Sequence, residues 1–452
     1  MKYKHFPMSI AIPRAGLTRV QEEFISKYLT IVPVNDDYLA KKMKFKPKTT
    51  DGTVQFWKAE KDYVHVPLLF GSGAFKIYPD PSKYPQSPMK FTGKLLERQI
   101  QPVQEAWTQL QTHGTTTLSL PTGFGKTIIG AYLASGIGKI TLVVVSLSSV
   151  IPNWIEAFKK NTSARIWVVG DEAMSTTGVD VIISMDQRVE KIPKEVLNQV
   201  GTLIADEAHL LCTPGKKGMW LAVHPCYVII ETATLERDDG MHLMITSIAG
   251  EHAIYRQSNT PFKVYKVKTN TAPKGNVKNP DGSLNWHSLE ADITSNPRRL
   301  QIVYQMVTHA YPDDAVLIVT RHVQHAKTIA AGLRTLKVDA QEYHSDMKNY
   351  QDCRVLVGTV QKIGTGFDQP ATAVGWGEHS KRFRVLIIAS SIKKKTQVVQ
   401  VIGRVFRADN PVVVHLVDNH PTYLRHIREA VKIYKSRHGV VEEVNIPNVN
   451  GE

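Results

Sequence analysis

Short apolar runs, each bounded by polar or turn-forming residues, recur through the middle of the chain. Five of them are "TTLSLP", "ITLVVVS", "VDVIIS", "GTLIADE" and "YVIIET", and longer amphipathic stretches separate most of them. Buried strands that alternate with amphipathic helices are typical of a parallel sheet covered by helices. Residues 95–268 are therefore predicted to form one α/β lobe.

The same alternation restarts after a polar connector. Residues 269–292, which include "TAPKGNVKNPDGSLN", are too rich in Gly, Pro and Asn to predict a packed element. Beyond them, "AVLIVT", "CRVLVGT", "VLIIAS" and "VVVHLVD" are typical of strands, and the chain is predicted to end in the basic helix "TYLRHIREAVKIYKSRHG". Residues 293–452 are thus predicted to form a second α/β lobe.

Residues 1–94 differ from the rest because they mix basic and aromatic residues in short alternating runs. Such runs favour a small β-rich or α+β unit. The stretch "YPDPSKYPQSP" at residues 78–88 is predicted to be a linker. The aromatic side chains either stack on unpaired bases or fill a small core. Candidates for stacking are Phe45, Phe56, Trp57 and Tyr63.

The charge of the chain points to a polyanionic partner. The formal net charge is +15 and the pI is near 9.5. Residues 1–94 hold 16 lysines and arginines against 8 acids. Concentrated basic charge favours a nucleic-acid partner. The alternative is that the excess of basic residues only increases solubility. Residues 1–94 are accordingly predicted to be a basic nucleic-acid-binding domain.

Other features narrow the class of protein. No apolar run approaches the roughly 20 residues that span a bilayer, and the N-terminus lacks the apolar core of a signal peptide. The three cysteines, Cys212, Cys226 and Cys353, are scattered and show no zinc spacing. We therefore expect a cytoplasmic monomer with reduced thiols and no membrane partner, in the host cytoplasm if a phage encodes it.

A phosphate-binding loop is predicted in "LSLPTGFGKTIIGAYLA". Gly123 and Gly125 let backbone N–H groups curl toward phosphate oxygens. Lys126 would reach the β- and γ-phosphates and Thr127 would ligate Mg²⁺, at a helix N-terminus that adds partial positive charge. The strict pattern asks for glycine where this chain has Leu120. The alternative, a chance Gly-Lys-Thr turn, is disfavoured by the flanking strand and helix.

Two adjacent acids end the strand "GTLIADE". Asp206 and Glu207 repel each other unless a cation or water lies close to them. In a phosphate-loop fold this strand end lies near the loop, and Mg²⁺ on the nucleotide is the cation. Asp206 would then hold the metal shell, and Glu207 would orient and deprotonate the attacking water. A solvated acidic strand end is the alternative.

The segment "QVVQVIGRVFR" offers two cations for phosphoryl transfer. Arg404 and Arg407 are three residues apart, so they share one face of a helix. No acid lies within the four residues before Arg404, and Asp409 is the nearest acid after it. Unpaired arginines among apolar residues are expected to meet an outside anion, as an arginine finger does. Two surface arginines on a basic protein are the alternative.

Taken together, five segments resemble the motifs of the superfamily 2 helicases. They are "PTGFGKT", "DEAH", "TATLER", "GTVQKIGTGFD" and "QVIGRVFR", in the family's order across residues 95–410. "TATLERDDG" is similar to the third motif of DNA branch-migration and repair members, although Leu235 replaces a proline. The nearest likeness is to phage-encoded and poxvirus-like DNA helicases. The resemblance implies two tandem RecA-like P-loop lobes, with ATP and Mg²⁺ as cofactors.

The resemblance also implies roles for individual residues. Gln104 falls where the family recognises adenine, although Val103 stands where an aromatic residue is usual. Asp368 would approach the ribose, and Gln400 in the last motif is also assigned to ATP binding. The remaining assignments are His209, Thr232 and Thr234 for coupling, and Ser146, Ser184, Arg321 and Thr359 for contacts with the nucleic-acid backbone.

These features predict an ATP-dependent DNA helicase that translocates on DNA and unwinds or remodels branched, forked or partly single-stranded substrates. ATP hydrolysis between two lobes would power it. The wedge that parts the strands is sought in residues 375–384 or in the N-terminal unit. One alternative is a duplex translocase that displaces proteins or transcripts without strand separation. A binding module with a vestigial ATP site and an RNA helicase are weaker alternatives, because every catalytic group is present and "SAT"-like signals are absent.

Overall fold

The computed structural model describes most of the chain. Described are residues 5–6, 9–31, 54–76, 79–121, 123–171, 177–233, 235, 240–258, 260–275, 277–345, 347–364 and 367–445. The chain divides into two compact units, residues 1–120 with 124–256, and residues 121–123 with 257–452. Each unit contains one seven-stranded sheet.

A small antiparallel sheet begins the first unit. Its strands lie in the order β1-β2-β6-β5, and β3 pairs separately with β4. The strand bounds are β1 His5–Phe6, β2 Ser9–Pro13, β3 Thr30–Ile31, β4 Val54–Gln55, β5 Lys58–Ala59 and β6 Tyr63–Pro67. Helix α1 is Arg19–Tyr28, which Thr18 and Gln21 begin with a capping box, and α2 is Leu68–Phe75. This region is α+β, one of the two predicted possibilities.

The hydrophobic core of the N-terminal region continues into the first lobe. Ile25, Phe56 and Val66 are fully buried in one cluster with Met244 and Ile248 of a later helix. Helix α2 contacts that later helix. The predicted boundary after residue 94 therefore does not separate two hydrophobic cores. Burial of Phe56 also means that this ring fills a core and is not available to stack on bases, whereas Phe45 lies outside the described residues.

The described part of the predicted linker, residues 78–88, packs against the first lobe. The Tyr84 hydroxyl donates to the His224 carbonyl oxygen at 2.5 Å. The buried Ser87 hydroxyl donates to Asp180 at 2.8 Å. Proline-rich composition breaks regular secondary structure, but it does not prevent a segment from being fixed by side-chain hydrogen bonds.

The sheet of the first lobe is parallel throughout. Its order is β13-β7-β12-β11-β8-β10-β9. The bounds are β7 Thr115–Ser119, β8 Thr141–Val145, β9 Ile166–Val168, β10 Val181–Met185, β11 Thr202–Ala205, β12 Tyr227–Thr232 and β13 Ile254–Tyr255. The five predicted runs all form strands here. The other two, β9 and β13, are short edge strands that the sequence pattern did not predict.

Helices cover both faces of this sheet. They are α3 Glu97–His113, α4 Lys126–Ile137, α5 Ile151–Asn161, α6 Lys194–Leu197, α7 Lys217–Leu221 and α8 Leu243–Ala249. In β12, Val228 and Ile230 belong to one hydrophobic cluster and Ile229 to the other, as expected for a strand buried on both faces. Loops at the carboxyl edge of such a sheet are where ligands bind in open α/β folds.

The second lobe is also built on a parallel sheet, in the order β16-β18-β15-β20-β21-β14-β22. Strands β17 and β19 form a separate parallel pair. The bounds are β14 Phe262–Lys268, β15 Val316–Thr320, β16 Ala340–Tyr343, β17 Tyr350–Gln351, β18 Val355–Thr359, β19 Ala373–Val374, β20 Val385–Ile388, β21 Val412–Val417 and β22 Gly439–Asn445. All four predicted strands are present.

Seven α-helices are described in the second lobe. They are α9 Trp286–Thr294, α10 Pro297–Gln305, α11 Val323–Thr335, α12 Val360–Gly364, α13 Gln369–Thr372, α14 Lys395–Ile402 and α15 Pro421–Ser436. The predicted connector, residues 269–292, therefore contains most of α9, in which Leu289 and Glu290 are buried. Its composition is polar, but these two side chains pack into the lobe.

Strand β14 lies in the second sheet, whereas the sequence pattern groups it with residues 95–268. It pairs with β21 on one side and with β22 on the other. Lys266 and Lys268 alternate with apolar residues and form ion pairs with Glu443 of β22, so the strand lacks a continuous apolar run. The chain also continues past its basic helix α15 into β22, which the sequence pattern did not predict.

We predict that Phe56→Ala destabilises the whole first unit. Truncating a fully buried phenylalanine typically lowers the free energy of unfolding by about 3–5 kcal/mol, and Phe56 is 0% exposed in a cluster shared with the first lobe. Urea unfolding followed by tryptophan fluorescence measures the loss. Val20, which is 75% exposed, supplies the control: Val20→Ala should change the unfolding free energy by no more than about 0.5 kcal/mol. Equal, small effects would contradict a shared core.

Candidate active site

The phosphate loop joins β7 to α4. Gly123 and Gly125 have φ angles of +82° and +92°, a region that residues with side chains rarely adopt. A side chain at position 125 would also collide with the amide of Gln99. The backbone therefore requires both glycines. Lys126 and Thr127 follow at the start of α4 and are only half-buried, so their side chains remain partly open to solvent.

A glutamine does support this loop, but it is Gln99 and not Gln104. The Gln99 side-chain amide donates to the carbonyl oxygens of Phe124 and Gly125 at 3.1 and 3.3 Å, and its oxygen accepts from the Leu96 N–H at 2.8 Å. Gln104 lies five residues later on α3, where its side chain is exposed. A contact between Gln104 and adenine stays a prediction. The sequence pattern did not identify Gln99. Its side chain points toward the loop only because of where α3 begins, and the sequence alone does not fix that position.

Asp206 follows β11 at the carboxyl edge and is 7% exposed. The Trp154 indole N–H donates to its carboxylate at 2.9 Å. Burial and the neighbouring Glu207 charge raise the pKa of Asp206 to about 6, while the Trp154 hydrogen bond and the Lys126 ammonium act in the opposite direction. A buried carboxylate held by an indole is poised for a second cation, since one lysine balances it only in part.

Glu207 has a strained backbone. Its φ of +45° is in the left-handed region, which costs on the order of 1 kcal/mol or more for a residue with a side chain. One carboxylate oxygen lies 3.3 Å from His209 Nδ1, and the same ring nitrogen lies 3.0 Å from the Thr232 hydroxyl. The imidazole is thus close to both the acidic turn and the end of β12, and a coupling role for His209 and Thr232 stays a prediction. Thr234, the third predicted coupling residue, lies outside the described residues.

A third acid, Glu231, was not predicted. It lies in β12 with 0% exposure, and neither carboxyl oxygen has a hydrogen-bond partner among the residues that the structure describes. A Cβ added to Gly130 would lie 2.6 Å from this carboxyl and 3.0 Å from the Trp154 ring. Burial first, and then the Asp206 charge, raise the pKa of Glu231 well above its usual range. The sequence signal was an acid inside the apolar run "YVIIET".

These residues fit a nucleotide with its Mg²⁺. The Lys126 ammonium donates to the Leu120 carbonyl oxygen at 3.1 Å, so it is already held over the loop that the glycines open. Among the described residues, no three His, Cys, Asp or Glu side chains converge as a metal cage. Mg²⁺ is commonly held by one or two protein groups plus phosphates and water, which matches Thr127 and Asp206.

The two arginines of the second lobe both have partners. The prediction that they are unpaired, which rested on the residues close to them in sequence, is therefore wrong. Arg404 donates to the carbonyl oxygens of Phe367 and Gly364 at 2.6 and 2.5 Å. Arg407 forms an ion pair with Asp368. Their partners lie 37 to 40 residues away in the chain, beyond any window that a sequence pattern covers.

Gln400 is buried inside the second lobe, 4% exposed on α14. A Cβ added to Gly364 would lie 3.3 Å from its side-chain oxygen. The Gln400 side chain is therefore in contact with the end of α12 within this lobe. A direct contact of Gln400 with ATP stays a prediction.

The two predicted nucleic-acid contacts of the first lobe differ in accessibility. Ser146 follows β8 and is partly exposed, with its hydroxyl 3.5 Å from the Lys216 ammonium. Ser184 is fully buried, and its hydroxyl donates to the Met185 carbonyl oxygen at 2.9 Å. The assignment of Ser184 as a backbone contact is therefore wrong for this conformation, since its face of β10 points into the lobe.

The predicted contacts of the second lobe differ in the same way. Thr359 is 6% exposed, and its hydroxyl accepts from the Lys362 N–H at 3.4 Å, so it serves the start of α12. Arg321 is exposed, with its guanidinium 5.0 Å from the centre of the Trp286 ring. Arg321 is thus the accessible cation at the carboxyl edge of β15.

The chain is similar to several known proteins. The family model described as "Type III restriction enzyme, res subunit" matches residues 92–237. The chain is 28% identical over 415 residues to the protein described as "Putative helicase 161L" of Invertebrate iridescent virus 6, covering 84% of this chain and 90% of that one. It is 24% identical over 313 residues to the ATP-dependent DNA helicase uvsW of Enterobacteria phage T4, covering 64% and 62%. It is 25% identical over 340 residues to the DNA 3'-5' translocase XPB2 of Sulfurisphaera tokodaii, covering 64% and 74%.

Two solved structures share the fold. Mycobacterium smegmatis helicase Lhr, bound to ssDNA and AMP-PNP, matches 84% of this chain and 50% of its own with a TM-score of 0.51 and 15% identity. S. cerevisiae Dbp5, bound to RNA and ADP BeF3, matches 76% and 89% with a TM-score of 0.54 and 12% identity. None of the described helices is both long and apolar enough to cross a membrane.

The fold and the site define a nucleoside triphosphatase with two tandem RecA-like lobes. The chain resembles the superfamily 2 helicases of viruses and phages, and its enzyme class is that of an ATP-dependent helicase.

We predict that Trp154→Phe raises the Mg²⁺ concentration needed for half-maximal ATP hydrolysis. The ring volume stays largely filled, but the hydrogen bond to the Asp206 carboxylate is lost, and a hydrogen bond to a charged group contributes about 1.5–3 kcal/mol. Hydrolysis rates across a Mg²⁺ series measure the shift. Trp107→Phe, at a half-buried tryptophan of α3, is the control and should leave the Mg²⁺ dependence unchanged. Equal shifts in both variants would show that Trp154 does not act through Asp206.

Proposed function

We propose that this enzyme is an ATP-dependent DNA helicase that translocates on DNA and unwinds or remodels branched and forked substrates. The observation that carries the proposal is the strained Glu207 beside buried Asp206, at the same sheet edge as a phosphate loop. Backbone strain at a charged residue is a recurrent mark of a functional position.

Each residue of the first lobe has one role in the proposal. Lys126 binds the phosphates, and Thr127 and Asp206 hold the metal shell. Mg²⁺ supplies charge that offsets the negative charge of the phosphates. Glu207 orients the attacking water and accepts its proton. In the second lobe, Arg404 and Arg407 stabilise charge that develops on the transferred phosphoryl group.

Coupling to nucleic acid is assigned to the contact between His209 and Thr232. The imidazole lies within hydrogen-bond distance of Thr232 and within 3.3 Å of Glu207. A change at the acidic turn therefore reaches the end of β12 through a single side chain. Because the His209 imidazole lies close to both groups, a rotation of this ring changes its distance to each of them.

DNA is proposed as the substrate on two grounds. The chain has a net charge of +15, which favours a polyphosphate backbone. Among the relatives, uvsW is named a DNA helicase and XPB2 a DNA translocase. Phosphate contacts from residues such as Arg321 and Ser146 position a strand without reading its bases. We therefore expect low sequence specificity and binding that weakens steeply with salt.

A duplex translocase is the second candidate, favoured by the likeness to XPB2. Such an enzyme hydrolyses ATP on duplex DNA and displaces bound proteins or transcripts without parting strands. The two candidates share every catalytic residue, so the choice between them depends on the strand-separating element.

The test measures ATP hydrolysis and strand displacement with single-stranded DNA, duplex, forked DNA, a four-way junction and RNA. A helicase of branched DNA hydrolyses ATP fastest with fork or junction and releases a labelled strand. Stimulation by plain duplex without strand release would favour the translocase, and stimulation by RNA alone would overturn both. Lys126→Ala is the control: it should abolish hydrolysis and leave nucleic-acid binding near the wild-type level, because Lys126 faces phosphate.

We predict that Glu207→Gln traps ATP. The amide keeps the size of the side chain but cannot accept the proton, and a general base typically contributes about 10²- to 10⁴-fold in rate. Nucleotide affinity, measured with a fluorescent ATP analogue, should stay near wild type while turnover falls by that factor. Turnover within about tenfold of wild type would mean that Glu207 is not the base.

A further inference from the structure

Residues 375–384 connect β19 to β20 and are tied to their own lobe. The Gln369 side-chain amide donates to the Lys381 carbonyl oxygen at 2.9 Å, and its oxygen accepts from the Phe383 N–H at 3.2 Å. One buried amide thus holds the backbone on both sides of Arg382, and we call these two hydrogen bonds the Gln369 grip. Gln369 is the residue directly after Asp368, so this grip ties the backbone on both sides of Arg382 to the neighbour of Asp368.

The surroundings of Arg382 leave part of its guanidinium uncommitted. The group lies 5.1 Å from the centre of the Trp376 ring. Its Nη1 is buried and donates no hydrogen bond to the described residues. Burial first, and then the Arg407 cation, lower the pKa of Arg382, while Asp368 raises it. Arg382 therefore shares one charge environment with the ion pair of Arg407 and Asp368.

That ion pair is in conflict with the proposed chemistry. In the described structure Arg407 is bound to Asp368. The proposed function assigns Arg407 to the phosphates and Asp368 to the ribose, and in that arrangement the pair separates. The Asp368 side chain is 30% exposed, so water offsets part of the attraction that is lost. A second cation beside Asp368 offsets more of it.

We infer that Arg382 is a positioning residue for ATP hydrolysis, which takes over Asp368 when Arg407 turns to the nucleotide phosphates. The inference rests on the proposed function. Its geometric basis is the Gln369 grip, which ties the backbone around Arg382 to the neighbour of Asp368, and the buried Nη1, which donates no hydrogen bond to the described residues. Arg382 does not touch the phosphates in this scheme, but it sets how readily Arg407 is released.

The test is a double-mutant cycle on the full chain. ATP hydrolysis is measured with saturating poly(dT) for Arg382→Gln, Asp368→Asn and the double variant. Arg382→Gln should lower kcat by about tenfold, the size of an ordinary coupling between neighbouring charged groups, with KM for ATP within about twofold. The double variant should be no slower than Asp368→Asn alone, because an amide at position 368 does not need a replacement cation.

Lys381→Gln is the matched control. It removes one positive charge from the exposed neighbouring residue, whose carbonyl is held by the same Gln369 grip, and its kcat should stay at the wild-type level. Unfolding temperatures of all variants separate a loss of stability from a loss of turnover. A loss in Arg382→Gln that persists in the Asp368→Asn background, or that Lys381→Gln reproduces, would overturn the inference.

The same experiment separates this inference from the proposed function. If Lys126→Ala is inactive and Arg382→Gln turns over normally, the inference is wrong and the proposed function stands. If Lys126→Ala hydrolyses ATP at the wild-type rate, the proposed function fails and the inference fails with it.

Discussion

Carboxyl groups that lie close together in a dry environment are the constraint on which the first lobe depends. Burial raises the pKa of both Asp206 and Glu231, the Glu207 charge raises both further, the Asp206 charge adds to the rise at Glu231, and Lys126 lowers both. Desolvating a charge costs several kcal/mol per ion, so such a cluster survives only where the scaffold determines its place. Here β11 and β12 are neighbours inside a parallel sheet. The strained turn at Glu207 is held by the same framework.

In the second lobe, the charged groups at the candidate site are cations rather than carboxylates. Its conspicuous cations are guanidinium groups, and they are satisfied locally: Arg404 by backbone carbonyls and Arg407 by Asp368. Each of these partners is one that a stronger anion can replace, because carbonyl oxygens carry only partial charge and the ion pair is partly exposed. The lobe is therefore stable by itself while keeping its cations exchangeable.

Much of this arrangement was predictable where chemistry is local. Apolar runs located nine strands of the two sheets, and the glycines of the phosphate loop followed from the backbone they must form. What could not be predicted depends on direction or on distance along the chain. The roles of Gln99 and Ser184 depend on the direction in which each side chain points from its helix or strand. The ion pair of Arg407 with Asp368 joins residues 39 apart in sequence. Strand β14 was not assigned to the second sheet because its lysines alternate with apolar residues and leave no continuous apolar run.

The hydrophobic cluster that the N-terminal sheet shares with the first lobe has a mechanical consequence. Phe56 and Met244 belong to that one cluster, and α2 contacts α8, the helix that follows the segment "TATLERDDG". Close-packed interiors have low compressibility and transmit strain. A load that pulls on the N-terminal sheet therefore acts on the side chains that support the helix after this motif. The N-terminal region is therefore mechanically continuous with the first lobe, because the two share one close-packed core.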